Sequence, residues 1–201
     1  MANTRDQILT AAAETFRRSG FNGASVKDIT VAAHATMGSL YHFFPGGKEQ
    51  LTAEVLRTTG AAYLQLFEMI ADGASDPGDA VQQFFDGAAD VLVETDFIDI
   101  CPIGGIAREV ASTSEPLRQV SNEVFASWQL ALASRLRGAG LRAAAARRLA
   151  TTVVAALEGG FILTRTARDP ALLRTIGKAM RSLVDAAVAA ATLNADRTGT
   201  I

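Results

Sequence analysis

The chain has 201 residues, 49% of them hydrophobic, with five prolines, one cysteine and a formal net charge of −2, which is enough apolar content for a sizeable core and argues against disorder. The single cysteine, Cys101, excludes an internal disulfide framework and any cysteine-based zinc site, and two isolated histidines make no metal centre. No uncharged apolar run reaches the length of a membrane span, the nearest being the interrupted stretch 149–164, and the N-terminus lacks an apolar signal core, so no membrane association and a cytoplasmic location are expected.

The first helix is written by Ile8, Leu9, Ala12 and Phe16 on one face and should stop at Gly20. Ser25 then caps a short helix with Asp28 three residues on, the acidic form of a capping box. After a tight turn at His34 and Ala35, Thr36 caps a third helix, "MGSLYHFF", which "PGG" ends before Lys48 opens a longer helix to about Ala71. Three short helices over residues 5–44, the last two joined by a tight turn, are the helix-turn-helix layout. Beyond them, Val81, Phe84, Phe85, Ala88, Val91 and Leu92 mark an amphipathic helix after "SDPGD". "FIDICPIGG" reads as an interruption and "GIAREVAST" as a shorter helix. Ser114 and Pro116 open another helix running to the "GAG" break near 139. A long Ala-rich helix covers 142–167, and a last one carries Leu172, Ile176, Met180, Leu183, Val184 and Val188 on one side. The expectation is an all-α chain of about nine helices: a domain over residues 1–48, with the fourth helix linking from 48, and a larger domain over 49–201.

Charge is unevenly spread. Residues 1–50 carry five cations against four carboxylates, a net +1 that leaves −3 for the rest, and no Lys or Arg occurs between Thr58 and Ala107. Contact with a polyanion should come from the first fifty residues.

A helix-turn-helix lays its second helix in the major groove while helix N-termini and side chains hold phosphates. Thr36 can cap the helix and still face a phosphate, and Gly38 and Ser39 keep the leading face thin enough for close approach to base edges. Tyr41 and His42 bring polar tips and Lys48 a cation, while Leu40, Phe43 and Phe44 should pack inward. "GFNGASVKDITVAAHATMGSLYHFFPGGKEQL" resembles the DNA-binding segment of the TetR family of bacterial transcriptional regulators, over roughly residues 5–52. The resemblance implies a homodimer bound to a palindromic double-stranded DNA operator, most often a repressor, and released when a small molecule occupies the larger domain. Carried over, Ser25, Val26 and Lys27 match the family's phosphate-contacting start of the second helix; Thr36, Gly38, Ser39, Tyr41 and His42 match its recognition helix, and Lys48 its phosphate lysine. Met37 departs from the family's polar or basic residue, leaving an apolar contact to a thymine methyl as its substitute. His34 stands where glycine is common and should be strained at positive φ. "FPGGKE" and "CPIGGIAREVA" also resemble the LmrA/YxaF branch, whose members respond to planar aromatic or multidrug-type compounds.

In the larger domain, Phe84, Phe85, Phe97, Cys101, Phe125, Trp128, Glu158 and Phe161 are candidates for a ligand pocket, against the plainer reading of ordinary core. Cys101, beside Asp96 and Asp99, reads as a buried small hydrophobe before a redox sensor. Glu158 is open between a pocket anchor, half of an ion pair across a dimer, and a solvated carboxylate. The small-residue faces of the last two long helices fit a four-helix dimer interface. Arg135, Arg137, Arg142, Arg147 and Arg148, without interleaved aromatics, read as solvated surface or dimer rim. No cofactor is expected, and no nucleophile–base pair, carboxylate pair or phosphate loop supports an enzyme. A helical ligand-binding protein that has lost DNA binding is the alternative.

Overall fold

The computed structural model describes residues 3–98 and 101–198, with side chains through Leu193. Asp99 lies outside the described residues. Nine helices are found among them and no strand: α1 (Thr4–Gly23), α2 (Val26–Ala32), α3 (Met37–Phe43), α4 (Gly47–Gly73), α5 (Pro77–Glu94), α6 (Pro102–Val110), α7 (Glu115–Gly138), α8 (Ala143–Ala167) and α9 (Pro170–Thr198). The all-helical expectation is met.

Several boundaries differ from the expected ones for local reasons. Gly20 leaves helical geometry (φ 70°, ψ −179°), but the chain resumes its turn and α1 extends to Gly23. Pro102, expected in an interruption, instead occupies the first turn of α6, where its missing N–H costs nothing; Cys101 caps that helix, its Sγ accepting from Gly104 N–H at 3.5 Å. Asp76 caps α5, and Pro77 follows it in the first turn.

The chain forms two compact units, residues 1–62 with 98–124 and residues 63–97 with 125–201. These units divide the chain elsewhere than the expected boundary at residue 48, because α6 packs against α1 and belongs with the N-terminal helices. In the first unit Ile8, Ala12 and Phe16 of α1, Ile29 of α2, Leu40 of α3, Leu51 and Leu56 of α4, and Ile103, Ile106 and Val110 of α6 are buried. Arg5 pairs with Glu54, and its guanidinium lies 5.3 Å from the Phe44 ring centroid.

In the second unit α9 packs on α5 and α8. Phe85, Leu92, Leu132, Leu136, Ala150, Leu157, Leu173 and Val184 make its core. Val91 and Leu183, placed inward by periodicity, are exposed, and Leu173, one position from the expected Leu172, is fully buried on α9 together with Val184. Gly177 lets α9 approach α5, since a Cβ there would come 2.6 Å from the Cβ of Phe85. Arg135 pairs with Glu68 and Asp72, which raises the guanidinium's already high pKa, while Arg142, Arg147 and Arg148 are exposed.

Candidate nucleic-acid interface

Two local capping arrangements build the helix-turn-helix. At α2, the Ser25 hydroxyl accepts the Asp28 N–H at 3.1 Å while Asp28 accepts the Ser25 N–H at 3.3 Å and its hydroxyl at 2.5 Å. The Ser25 hydroxyl, then its backbone N–H, hold the Asp28 carboxyl below its ordinary range. Between α2 and α3, His34 adopts the left-handed conformation (φ 50°), and Ala35 N–H returns to the Thr30 carbonyl at 2.9 Å, closing the turn as a glycine would. At α3, Thr36 Oγ1 accepts the Ser39 N–H at 3.0 Å and lies 2.9 Å from Ser39 Oγ. That pairing uses one of the two hydroxyl hydrogens and leaves the other free for an outside acceptor.

The face of α3 is divided as its sequence demands. Leu40 is fully buried and so is Phe44 just beyond the helix. Met37 (44% exposed) and Tyr41 (48% exposed), four residues apart, share the outward face, with Thr36, Gly38 and His42 also exposed. The buried Thr30 hydroxyl donates to the Lys27 carbonyl at 2.9 Å and lies 3.8 Å from Met37 Sδ, where the start of α3 meets α2. His42 meets Phe43 edge-on at 5.0 Å. After the helix, Gly47 turns the chain at φ 63°, and a Cβ there would press on the Tyr41 ring at 3.3 Å.

Ser25 and Lys27 are exposed at the start of α2 beside a half-buried Val26. The chain thus brings Ser25, Lys27, Thr36, Met37, Gly38, Tyr41 and His42 to the surface of one helix-turn-helix. Lys48, expected as the phosphate lysine, is half-buried, and its Nζ lies 4.2 Å from the Phe21 ring centroid. Burial lowers its pKa, partly countered by the charge of Glu109. Glu109 is the residue sequence reasoning missed. From α6 its carboxylate accepts the N–H of Phe21 at 3.2 Å and of Asn22 at 2.8 Å, and no local pattern signals a contact 88 residues away.

The pocket candidates are less unified. Cys101 belongs to the first unit and is buried; the other seven belong to the second. Phe85 is core, whereas Phe84, Phe97 and Phe161 are partly buried against it. Phe84 stacks edge-on with Phe67 at 5.9 Å, and Trp128 edge-on with Phe125 at 5.5 Å and Tyr63 at 6.1 Å. Glu158 is half-buried on α8, and the buried Thr164 hydroxyl on the same helix lacks a hydrogen-bond partner among the described residues. In the first unit, an open polar cleft of about 330 Å³ runs along α4 and α7, lined by Glu49, Arg57 and Glu123 among others and by none of the aromatic candidates. No helix among the described residues is long and apolar enough to cross a membrane.

Residues 8–55 match the family model described as bacterial regulatory proteins, tetR family, and residues 77–179 that described as transcriptional regulator LmrA/YxaF-like, C-terminal domain. The uncharacterized HTH-type transcriptional regulator YxaF of Bacillus subtilis is 36% identical over 90% of this chain and 95% of its own. The HTH-type transcriptional regulator LmrA of the same organism is 31% identical, over 90% and 97%. Among solved structures, a TetR transcriptional regulator from Legionella pneumophila superposes with a TM-score of 0.79 at 24% identity, covering 92% of this chain and 97% of that one.

Proposed function

Because the chain belongs to the TetR family of DNA-binding transcriptional regulators, with a C-terminal half of the LmrA/YxaF-like kind, we propose that it is a homodimeric repressor released from a palindromic operator by a small ligand. The observation that carries this reading is the capped α3, which presents Thr36, Met37, Gly38, Tyr41 and His42 outward while Leu40 and Phe44 hold it to the unit's core. In it, Ser25, Val26, Lys27 and Lys48 serve the phosphates, and Ser39 supports Thr36. Met37 offers an apolar surface to a thymine methyl. Two such helices must be held about 34–36 Å apart, or a multiple of that, to enter successive major grooves.

Ile162 and Leu163 on α8 and Leu183 on α9, exposed at 54%, 57% and 44%, are apolar surface that a four-helix contact between protomers would cover. The ligand is taken among the aromatic side chains of the second unit, Phe84, Phe97, Phe125, Trp128 and Phe161, with Glu158 as a polar anchor; planar aromatic or multidrug-type compounds suit such walls. It acts by binding the DNA-incompetent state more tightly, and its effect equals that difference in affinity. No catalytic step is involved.

The test is fluorescence anisotropy with labelled DNA from upstream of the protein's own gene, across a salt series. Sequence-selective, salt-sensitive binding weakened by Tyr41→Ala and by Lys48→Ala is expected. Binding that ignores sequence, or none, overturns the reading. Sedimentation of Ile162→Glu should give monomers where the wild type gives dimers.

A further inference from the structure

We propose that Glu109 is a positioning residue for DNA binding, fixing from α6 the turn that delivers Ser25 and α2 to the phosphates; this rests on the regulator reading above. Four observations meet at one place. Gly20 breaks α1 with φ 70°. The turn that restarts beyond it exposes fresh N–H groups, as any helix start does, and the two oxygens of Glu109 accept those of Phe21 and Asn22 at 3.2 and 2.8 Å. A Cβ on residue 20 would overlap Glu109 Oε1, so the glycine makes room for the carboxylate as well as for the bend. The Phe21 ring in turn lies under the Lys48 ammonium at 4.2 Å.

Between Asn22 and Ser25 stand only Gly23 and the buried Ala24. A chain held at Asn22 therefore has little freedom left by the time it reaches the cap of α2, and charge-assisted hydrogen bonds to two successive N–H groups fix direction as well as position. Glu109 is half-buried and needs to touch no DNA to do this. Lys48 is held by the same arrangement, between the Phe21 face and the Glu109 charge.

The sign of one substitution separates positioning from charge. Glu109→Gln keeps the shape and removes a negative charge near a surface that meets a polyanion. Charge alone then predicts tighter DNA binding. Positioning predicts weaker binding, because the two N–H groups use different carboxylate oxygens, and in the amide one of these becomes an NH2 donor facing an N–H. We expect operator affinity, at fixed salt, to fall about tenfold, the scale of one charge-assisted hydrogen bond. Equal or tighter binding overturns the proposal. Gly20→Ala should give a comparable loss with the charge unchanged, and the double variant should be no weaker than the weaker single one; losses that multiply would mean the two residues act separately and would overturn it. Hydrogen exchange on the wild-type protein needs no variant: the Phe21 and Asn22 amides should be protected, and fast exchange at both overturns the proposal. In Glu109→Gln that protection should be lost while the amides of Ile29 and Leu40 keep theirs, a pattern that general destabilisation would not give. Wild-type protein that binds no DNA selectively counts instead against the regulator reading.

Discussion

Gly177 and Gly87 permit one substitution with two opposite expected signs. Both lie inside helices of the second unit, Gly177 in α9 and Gly87 in α5. At Gly177 a Cβ would lie 2.6 Å from the Cβ of Phe85 and 3.2 Å from its Cγ, whereas carbon atoms rest at about 3.5–4.0 Å. Neither Cβ can swing aside, since each is fixed to its own backbone. The helices must part by about 1 Å, and overpacking of that kind costs roughly 1–3 kcal/mol. Alanine's better helix propensity returns about 1 kcal/mol. Gly177→Ala should therefore destabilise by up to about 2 kcal/mol. Gly87 has no atom within 4 Å of the same imagined Cβ, so Gly87→Ala should stabilise by up to about 1 kcal/mol. The two variants then differ by about 2 kcal/mol, or roughly 4–8 °C in melting temperature for a chain of this size. Calorimetry at matched protein concentration measures it, the matching being needed because association shifts the transition. A Gly177→Ala protein as stable as Gly87→Ala would refute the reasoning: α5 and α9 would then not be in contact through this glycine.

Ser25→Ala removes the hydroxyl half of the capping box at α2, leaving the backbone N–H of residue 25 on Asp28, and should cost about 1 kcal/mol, read as faster amide exchange in Val26–Ala32 together with weaker operator binding; unchanged exchange would contradict the cap's role. Hydrogen bonds from Arg118, then Gln119, hold the Glu115 carboxyl at about 2 against an ordinary 4.5. A carboxyl depressed in the folded state contributes its stability fully above pH 4.5 and loses it as the pH falls toward 2. Arg118→Ala should therefore flatten the acid limb of the stability profile in that window and leave the slope near neutrality unchanged. Thr164→Val replaces a buried hydroxyl whose Oγ1 has no hydrogen-bond partner among the described residues and should be neutral or stabilising by up to about 1 kcal/mol in urea titration, a clear loss of stability being the contrary result.

Much of the first unit was legible because its instructions are local. Ser25 with Asp28, Thr36 with Ser39, and the glycines after Phe44 act over three or four residues, and each does in the fold what its spacing suggests. Periodicity was less exact about which neighbour fills a face: Val91 and Leu183 fit the apolar stripes yet lie exposed at their edges, and Leu173 took the place expected of Leu172. A stripe gives the direction of the core but not its width, which depends on how closely the next helix approaches. Contacts between distant segments left no trace at all. Arg135 reads as one of a loose group of arginines until Glu68 and Asp72 stand beside it. Lys48 reads as a phosphate cation, and nothing near it in sequence says that Phe21 lies beneath it. The pocket candidates suffered most, since aromatics in a helical domain serve core and cavity alike, and only placement separates the core Phe85 from the half-buried Phe84.

The composition of the first unit from residues 1–62 and 98–124 also limits how this protein can be taken apart and recombined. Its DNA-reading head is not a cassette that ends where the helix-turn-helix ends. A chimera that grafts residues 1–48 onto a foreign sensor would leave behind Ile103, Ile106 and Val110, which are buried within the unit, and Glu109, which grips the turn before α2. The transplantable part is discontinuous, two segments with residues 63–97 strung between them as an insertion. Swapping specificity between relatives should accordingly succeed when single positions on α3 are exchanged, and fail when the cut is made by sequence order alone.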